Sequence, residues 1–249
     1  MEIKGKTAFV TGANRGLGKA FAEALLEAGA AKVYAGARDP ASIKDSRMTP
    51  VRLDITSRAD IAAAVEACSD VNILINNAGA MFSKTVLADD AVDTMRREMD
   101  VNVFGVLDMA NAFAPVLKRN GGGVMVNMLS VVAWYVYPFN STYCATKHAA
   151  RAVTDGLRYQ LKSQGTKVIG VYAGFIDTDM GGVLTKGKMT SARQVAERTM
   201  YGILNGLDHV LSDESAEALW RAVREHPEKL QADMQAAWDK EQISKTEPA

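Results

Sequence analysis

Tyr143 and Lys147 are the residues whose types and spacing most directly indicate chemistry. They stand four positions apart in a Tyr-x-x-x-Lys motif, and the segment 141–162 has the pattern of a long helix, so both side chains lie on one helix face. A free phenol, with a pKa of about 10, is a poor base at neutral pH, whereas a nearby cation favours the phenolate. The pair therefore predicts proton exchange with a substrate. Taken alone, such a pair more often reflects packing and a solvated charge, so other motifs must decide.

A glycine-rich segment lies between an apolar run that ends at Val10 and a helical pattern that begins at Leu17. A strand, a glycine turn and a helix in this order let backbone N–H groups at the helix start face a ligand, which suits a pyrophosphate. A plain glycine turn is the alternative, but it explains one glycine rather than three. The candidate contacts are Gly12, Asn14, Arg15, Gly16, Leu17 and Gly18.

Apolar runs and helical patterns alternate along most of the chain. Strands are predicted at 6–10, 32–37, 51–53, 71–75, 124–129, 167–172 and 209–211, and helices at 17–28, 60–68, 89–117, 141–162, 216–224 and 227–241. This alternation predicts an α/β fold, a single Rossmann-type doubly wound parallel sheet with helices on both faces. We expect residues 1–249 to form one dinucleotide-binding and catalytic domain, with a polar helical segment at its end, 212–249. Such sheets bind ligands at the carboxyl ends of their strands.

The composition argues against several classes of protein. Lys plus Arg and Asp plus Glu both number 29, so the formal net charge is zero and a nucleic-acid partner is not expected. No apolar run approaches the ~18 residues that a membrane helix requires, so we expect no membrane segment. Two cysteines far apart in sequence fit a cytoplasmic location. Three histidines without ligand spacing predict no metal site.

Two further motifs give the Tyr143 and Lys147 pair its context. Ser130 closes the predicted strand 124–129, and the sequence Asn-Asn-Ala-Gly at 76–79 closes the preceding strand. Together with the glycine segment, in this order and spacing, these motifs resemble the short-chain dehydrogenase/reductase family. The resemblance runs from residue 6 to about residue 178.

The resemblance implies a role for each catalytic candidate. Tyr143 is then the general acid in ketone reduction and the base in alcohol oxidation, and Ser130 hydrogen-bonds the substrate oxygen. Lys147 binds the nicotinamide ribose and lowers the pKa of Tyr143, while Asn102 holds a proton-relay water. Hydride transfer builds negative charge on a carbonyl oxygen, which independently requires donors aimed at it. For Asn102, a helix-interior side chain that bonds locally is an equal alternative.

The resemblance also implies contacts with a nicotinamide dinucleotide outside the glycine segment. Asp54 and Ile55 match the family pair at adenine, although an Asp after a strand also commonly caps a helix. The segment 173–178 matches the family's Pro-Gly-x-x-x-Thr, with Ala173 in place of proline, and is assigned to the nicotinamide amide and phosphate. Besides Tyr143 and Lys147, the candidate contacts are Asp54, Ile55, Asn77, Ala78, Gly79, Gly174, Ile176 and Thr178, with Asn76 in the same loop.

The end of the predicted strand 32–37 indicates which cofactor is preferred. Ala37 offers no carboxylate to the ribose 2′-hydroxyl of NAD, whereas Arg38 supplies a guanidinium for the 2′-phosphate of NADP. Arg15 adds a second cation. We therefore predict NADP(H). The alternatives are two solvated arginines, or a strand that ends one residue later and brings Asp39 into contact.

Four aromatic residues crowd the segment between Ser130 and Tyr143, where they predict a pocket for a bulky apolar or aryl ketone. Rings that close the core or a subunit contact are the alternative. A glycine-containing segment, 180–189, is predicted to be a flap over the site. The candidate pocket residues are Trp134, Tyr137, Phe139 and Met180, with Tyr135 among the rings. Farther on, an apolar stripe in 230–238 is predicted to pack against the domain.

The predicted function is that of an oxidoreductase that transfers hydride reversibly between NADPH and a ketone or secondary alcohol. A 3-oxoacyl carrier-protein reductase is one alternative. It would use basic residues at the pocket mouth, for which Lys186 and Lys188 are the candidates. A nicotinamide-sensing binding protein without turnover is the other, and the intact Ser130, Tyr143 and Lys147 argue against it. The resemblance implies a homodimer or homotetramer built on the helices at 89–117 and 141–162.

Overall fold

A computed structural model describes residues 1–178 and 189–246 of the chain. Its strands are β1 (Thr7–Thr11), β2 (Lys32–Ala37), β3 (Thr49–Arg52), β4 (Ile73–Asn76), β5 (Gly123–Met128), β6 (Thr166–Tyr172), β7 (Ile176–Asp177), β8 (Thr190–Ser191) and β9 (His209–Leu211). Its α-helices are α1 (Gly16–Glu27), α2 (Arg58–Ala67), α3 (Ala91–Met99), α4 (Val106–Arg119), α5 (Ser141–Leu161), α6 (Ala192–Asn205), α7 (Glu214–Glu225) and α8 (Pro227–Thr246).

The central sheet has seven strands in the order β3-β2-β1-β4-β5-β6-β9, and every pairing in it is parallel. Its inner strands are apolar on both faces because both faces are covered. In β1, for example, Ala8 and Val10 belong to one core cluster and Phe9 belongs to the other. The doubly wound parallel sheet predicted from the alternating pattern is confirmed.

Helices cover both faces of this sheet and bury its side chains. On one face, Phe21 and Leu25 of α1 pack with Ile203 of α6. On the other face, Phe113 of α4 and Leu157 of α5 pack on the central strands. The helices are therefore fixed relative to the strand ends, and this is what gives side chains on the helices defined positions at the carboxyl edge.

The sequence order of the strands reverses between β1 and β4, which lie side by side in the sheet. In parallel sheets such a reversal opens a crevice at the carboxyl edge, because the two connections leave in opposite directions. The glycine segment follows β1 and the Asn-Asn-Ala-Gly sequence follows β4. Both motifs are therefore brought to the crevice.

The predicted helix 89–117 is not uniform in the structure. It consists of α3, a π-helical turn at Asp100–Gly105 and α4. The wider turn lies where Asn102 is buried and where Gly105 packs so closely on Ile55 that a Cβ there would lie 2.9 Å from the Ile55 carbonyl oxygen. Single π-helical turns are rare and frequently occur at functional sites.

The C-terminal part of the chain confirms the predicted strand at 209–211 and the two helices after it. Asp213 caps α7 by accepting a hydrogen bond from the backbone N–H of Ala216. In the described part of the chain, no helix combines the length and apolarity needed to cross a membrane.

Candidate active site

The glycine segment joins β1 to α1 through backbone that other residues adopt poorly. Gly12 has φ +67° and Gly16 has φ +51°, in the left-handed region that favours glycine. Gly18 is required for a different reason: a Cβ there would lie 2.0 Å from the Gly12 carbonyl oxygen. Arg15, at the N-cap of α1, makes no capping hydrogen bond with its side chain, and the first turn of α1 holds no acidic residue. The start of α1 is thus suited to an anion.

Thr11 ties the glycine segment to the loop after β4. Its hydroxyl oxygen accepts hydrogen bonds from the backbone N–H groups of Asn77 and Ala78, both at 2.9 Å. The Asn77 side chain in turn donates to the Thr11 carbonyl at 3.0 Å. A Cβ on Gly12 would lie 3.2 Å from the Ala78 Cα. The two predicted cofactor loops therefore form one continuous wall of the crevice.

Asn76, placed by the resemblance in the same loop, lies inside the protein instead. Its side chain donates to Asn127 on β5 at 2.9 Å, and Asn127 donates to Thr154 on α5 at 3.0 Å. All three residues are buried. Asn76 thus connects two strands and a helix.

Asn102 lies in the π-helical turn and is 2% exposed. Its side chain exchanges two hydrogen bonds with the backbone of Ala80, at 2.9 and 2.8 Å, and donates a third to Thr146 of α5 at 3.0 Å. Through these hydrogen bonds the Asn102 side chain fixes the backbone at Ala80. Asn102 therefore holds the loop after β4 against the helix that carries Tyr143.

Ser130 follows β5 at the carboxyl edge of the sheet. Its hydroxyl donates to the Ala173 carbonyl at 3.2 Å and accepts from the backbone N–H of Val132 at 3.3 Å. The second bond caps a 3₁₀ helix at Val131–Ala133. Because Ala173 follows β6, the Ser130 hydroxyl bridges the ends of two adjacent strands.

Tyr143 and Lys147 lie in the first two turns of α5, as predicted. The Lys147 Nζ lies 5.5 Å from the centroid of the Tyr143 ring and donates to the carbonyl of Met128, the last residue of β5, at 3.0 Å. Lys147 is 6% exposed. The ammonium is thus anchored at the strand end next to the phenol.

The pKa of Tyr143 is shifted in the opposite direction to the one we expected. Burial is the largest cause and raises the pKa of the phenol, and Cys144 and the charge of Glu98 raise it further. Burial also lowers the pKa of Lys147 to about 8, because an ammonium is costly to remove from water. With its pKa raised, the phenol is protonated at neutral pH, which is the form that donates a proton.

Arg38 is exposed and comes immediately after β2, which ends at Ala37 as predicted. The neighbouring Asp39 is engaged elsewhere: its carboxylate accepts from the backbone N–H of Ala41 at 3.0 Å and caps a 3₁₀ helix at Pro40–Ser42. Hydrogen bonds from Thr56 lower the pKa of Asp54, and the charge of Arg38 contributes to the same shift. Arg38 and Asp54 therefore share one end of the crevice.

The segment after β6 returns to the glycine segment. A Cβ on Gly16 would lie 3.3 Å from Cγ2 of Thr178, so these two predicted cofactor contacts are neighbours. Ile176 lies in β7, which pairs with β8, and Gly174 comes just before β7. Met180, Lys186, Lys188 and all but the last residue of the predicted flap 180–189 lie outside the described residues.

Of the predicted aromatic residues, Trp134 and Tyr135 line a cavity, whereas Tyr137 and Phe139 do not line it and pack on other rings. Trp134 is buried and stacks on Tyr172 with ring centroids 4.3 Å apart. Tyr137 packs edge-on against Phe139 at 5.2 Å, and Phe139 packs on Trp238 of α8 at 5.6 Å. The alternative interpretation, in which these rings close the core, therefore holds for some of the aromatic residues.

A cavity of about 580 Å³ lies between this aromatic segment, the loop at 85–87 and helix α8. Ser141 and His148 line it from α5; they are seven residues apart and so share a helix face, which differs from the face of Tyr143 and Lys147. The main apolar residues of its wall are Val86, Leu87, Trp134, Val223, Leu230, Met234 and Trp238. The stripe predicted in 230–238 thus faces this cavity.

Sequence reasoning did not identify the residues that connect the motifs. Asn127 and Thr146 are such residues, and each binds a motif residue from a different element. The available signal was a polar side chain within an otherwise apolar strand, as with Asn127 in β5. Its partner could not be named without the strand register.

Comparison with known proteins agrees with this geometry. The family model described as short chain dehydrogenase matches residues 6–188. An uncharacterized oxidoreductase of Staphylococcus epidermidis is 30% identical over 213 residues, which cover 81% of this chain and 92% of the relative.

Two solved structures extend the comparison. A short chain dehydrogenase from Burkholderia cenocepacia, in complex with NADP, is 37% identical with a TM-score of 0.90, covering 94% of this chain and 99% of that one. A 3-ketoacyl-(acyl-carrier-protein) reductase from Brucella melitensis, complexed with NADH, is 28% identical with a TM-score of 0.76, covering 84% and 96%. The chain thus belongs to the short chain dehydrogenase family of oxidoreductases.

Proposed function

We propose that the protein transfers hydride reversibly between NADPH and a ketone or secondary alcohol, with Ser130, Tyr143 and Lys147 as its catalytic residues. The observation that carries this proposal is the position of the phenol and ammonium. They lie on one face of α5, with the ammonium held at the end of β5 by the Met128 carbonyl. The experiment is a panel of ketones and alcohols monitored by NADPH absorbance. Binding of NADPH without turnover of any of them would contradict the proposal.

The residues of the crevice fit a nicotinamide dinucleotide. A glycine-lined helix start without an acidic residue suits a pyrophosphate, and Thr178 lies against Gly16 at the same place. In this proposal Lys147 hydrogen-bonds a ribose of the cofactor, and Asp54 and Ile55 contact its adenine. When bound, the reduced nicotinamide supplies the hydride to the carbonyl carbon.

The protein's own side chains manage the charge and the proton of the reaction. As hydride reaches the carbon, negative charge develops on the substrate oxygen. The Ser130 hydroxyl stabilises that oxygen when it donates its hydrogen bond to the substrate instead of to the Ala173 carbonyl. Tyr143 donates its proton to the oxygen, which yields the alcohol and a phenolate that is reprotonated from solvent. The Asn102 side chain is fully engaged with Ala80 and Thr146 as a donor, so it positions backbone in this scheme.

We assign the preference for NADPH to Arg38 at the end of β2. The exposed guanidinium suits a 2′-phosphate, and the only nearby carboxylate in the 37–39 segment, Asp39, is used in the 3₁₀ cap. The NADP complex of the Burkholderia relative supports this assignment.

Replacing Arg38 with alanine is expected to lower kcat/KM for NADPH by about tenfold or more, since a charge-assisted contact contributes about 1.5–3 kcal/mol. The value for NADH in the same variant serves as the internal control and should change little. Steady-state kinetics with both cofactors measure the effect. Equal kcat/KM for NADH and NADPH in the unmodified enzyme would contradict the assignment.

We propose a bulky apolar or aryl ketone as the substrate. The cavity of about 580 Å³ is walled by Trp134 and the apolar side of α8, and it adjoins the segment that joins Ser130 to Tyr143. Ser130, Tyr143 and Lys147 do not line this cavity, so in this proposal the substrate extends past Tyr135, which lines it, to place its apolar part there while its carbonyl lies at Tyr143. The similarity to the Brucella reductase supports a 3-oxoacyl substrate as the second candidate.

Replacing Met234 with aspartate is expected to lower kcat/KM for an aryl ketone about tenfold or more, because it puts a charge in the apolar wall. Ala236→Asp adds the same charge to an exposed position of the same helix and should leave activity unchanged. Kinetics with an aryl ketone and with a small polar keto acid test the idea. A preference of the unmodified enzyme for the keto acid would contradict it.

A further inference from the structure

Glu98 is a buried carboxylate that none of the roles above uses. It lies in α3 with 0% exposure, four residues before Asn102. One oxygen, Oε1, accepts hydrogen bonds from the backbone N–H groups of Phe82 at 2.7 Å and Ser83 at 3.2 Å. The other, Oε2, is buried and has no hydrogen-bond partner among the described residues. Burying a carboxylate costs free energy unless hydrogen bonds and charges compensate it fully, so we expect Glu98 to have a specific role.

The segment that Glu98 binds, 79–84, is held between two helical elements. Asn102 binds its first part through both backbone groups of Ala80. At its end, Lys84 and Thr142 exchange two hydrogen bonds, Lys84 N–H to the Thr142 hydroxyl at 3.2 Å and Thr142 N–H to the Lys84 carbonyl at 3.1 Å. Glu98 holds the middle, where Ser83 adopts φ +57°, a conformation that is unfavourable for serine. The segment is thereby fixed next to Tyr143, the neighbour of Thr142.

Glu98 is also the carboxylate whose charge acts on the Tyr143 phenol from another helix. After burial and the neighbouring Cys144, its charge raises the pKa of Tyr143, and it also raises the pKa of Cys144. Among the described cations nearby, Lys84 pairs with Asp90 at 3.2 Å and Arg97 lies over the Phe82 ring at 4.1 Å. Lys147 lies on α5 itself, with its Nζ 5.5 Å from the centroid of the phenol ring.

We propose that Glu98 is a positioning residue of the reaction: its carboxylate fixes the 79–84 segment against α5, next to Tyr143. This inference rests on the proposed function. The charge of Glu98 also disfavours the Tyr143 phenolate, so Tyr143 stays a proton donor to higher pH. Removing the charge reverses this effect, which gives opposite signs for the two directions of the reaction.

The test is Glu98→Gln, which retains an acceptor for Phe82 and Ser83 and removes the charge. The alkaline limb of kcat/KM for ketone reduction is expected to move to lower pH, and alcohol oxidation gains activity at lower pH. Asp93→Asn, which removes an exposed charge from the same helix, is the matched control and should leave both profiles unchanged. Coincident profiles of Glu98→Gln and the unmodified enzyme would overturn the proposal.

Two variants separate the effect of fixing the 79–84 segment from the effect of the Glu98 charge. Thr142→Val removes another anchor of the 79–84 segment and leaves the charge, so ketone KM should rise severalfold without a shift of the alkaline limb. Glu98→Asp, which shortens the side chain and retains the charge, should behave in the same way and remains informative if Glu98→Gln does not fold. An unchanged KM in Glu98→Asp would refute the positioning role. An unmodified enzyme without NADPH-dependent turnover would instead refute the proposed function and, with it, this inference.

Discussion

Tyr143→Phe is expected to lower kcat for ketone reduction by about 10²–10⁴-fold, the usual contribution of a positioned general acid. The ring that packs in the site is retained, so the Kd of NADPH should change little. Because only the hydroxyl is lost, the alkaline fall in activity that reports its titration should also disappear. Steady-state kinetics over a range of pH and fluorescence titration with NADPH measure the two effects.

Tyr159→Phe is the matched control for this variant. It makes the same change on the same helix, at a ring that is 76% exposed, and should retain full activity. Full reductase activity of Tyr143→Phe would mean that another group supplies the proton, and the proposed mechanism would have to be abandoned.

Gly18→Ala is expected to damage both stability and cofactor binding. Its Cβ would lie 2.0 Å from the Gly12 carbonyl oxygen and 2.6 Å from the Asn77 side chain, so backbone has to move. Overpacking of this kind costs about 2–3 kcal/mol, which corresponds to a fall in Tm of about 5–10 °C for a chain of this size. The displaced loop should also weaken NADPH binding by about tenfold, a loss of ~1.4 kcal/mol.

Gly156→Ala provides the comparison, because Gly156 lies in α5 and a Cβ there meets nothing within 4 Å. Alanine is favoured over glycine in a helix by about 1 kcal/mol, so Tm should rise slightly and NADPH affinity should not change. Calorimetry and cofactor titration on both variants distinguish a local steric clash from a general intolerance of alanine. Wild-type Tm and affinity in Gly18→Ala would show that the loop adapts freely.

Much of the fold could be predicted from sequence because local patterns and the sheet agree. Strand 32–37 was predicted with its observed bounds, and helix 141–162 differs from α5 by one residue. The π-helical turn at Asp100–Gly105 could not be predicted. A helical pattern of apolar residues indicates which face of a helix is buried, but it does not reveal a single inserted residue. The pairing of β7 with β8 was also missed, because each strand is only two residues long.

The candidate site could be predicted as a set of motifs but not as a network. The positions of Ser130, Tyr143 and Lys147 at the carboxyl edge follow from spacing, whereas the direction of the Tyr143 pKa shift depends on burial and on Glu98, which is distant in sequence. The apolar wall of the cavity comes from α8, about a hundred residues after Trp134. Long-range contacts of this kind leave no trace in local periodicity.

The buried chain from Asn76 through Asn127 to Thr154 bears on how the protein avoids misfolding. In a compact state with β5 shifted by one residue, or with α5 rotated by one position, these amides would lose their partners, at about 1–3 kcal/mol for each unsatisfied group. A rotation of α5 by one position would also turn Tyr143 by about 100°. The same polar contacts therefore favour both one strand register and the one rotation of α5 that sets the direction of the Tyr143 side chain.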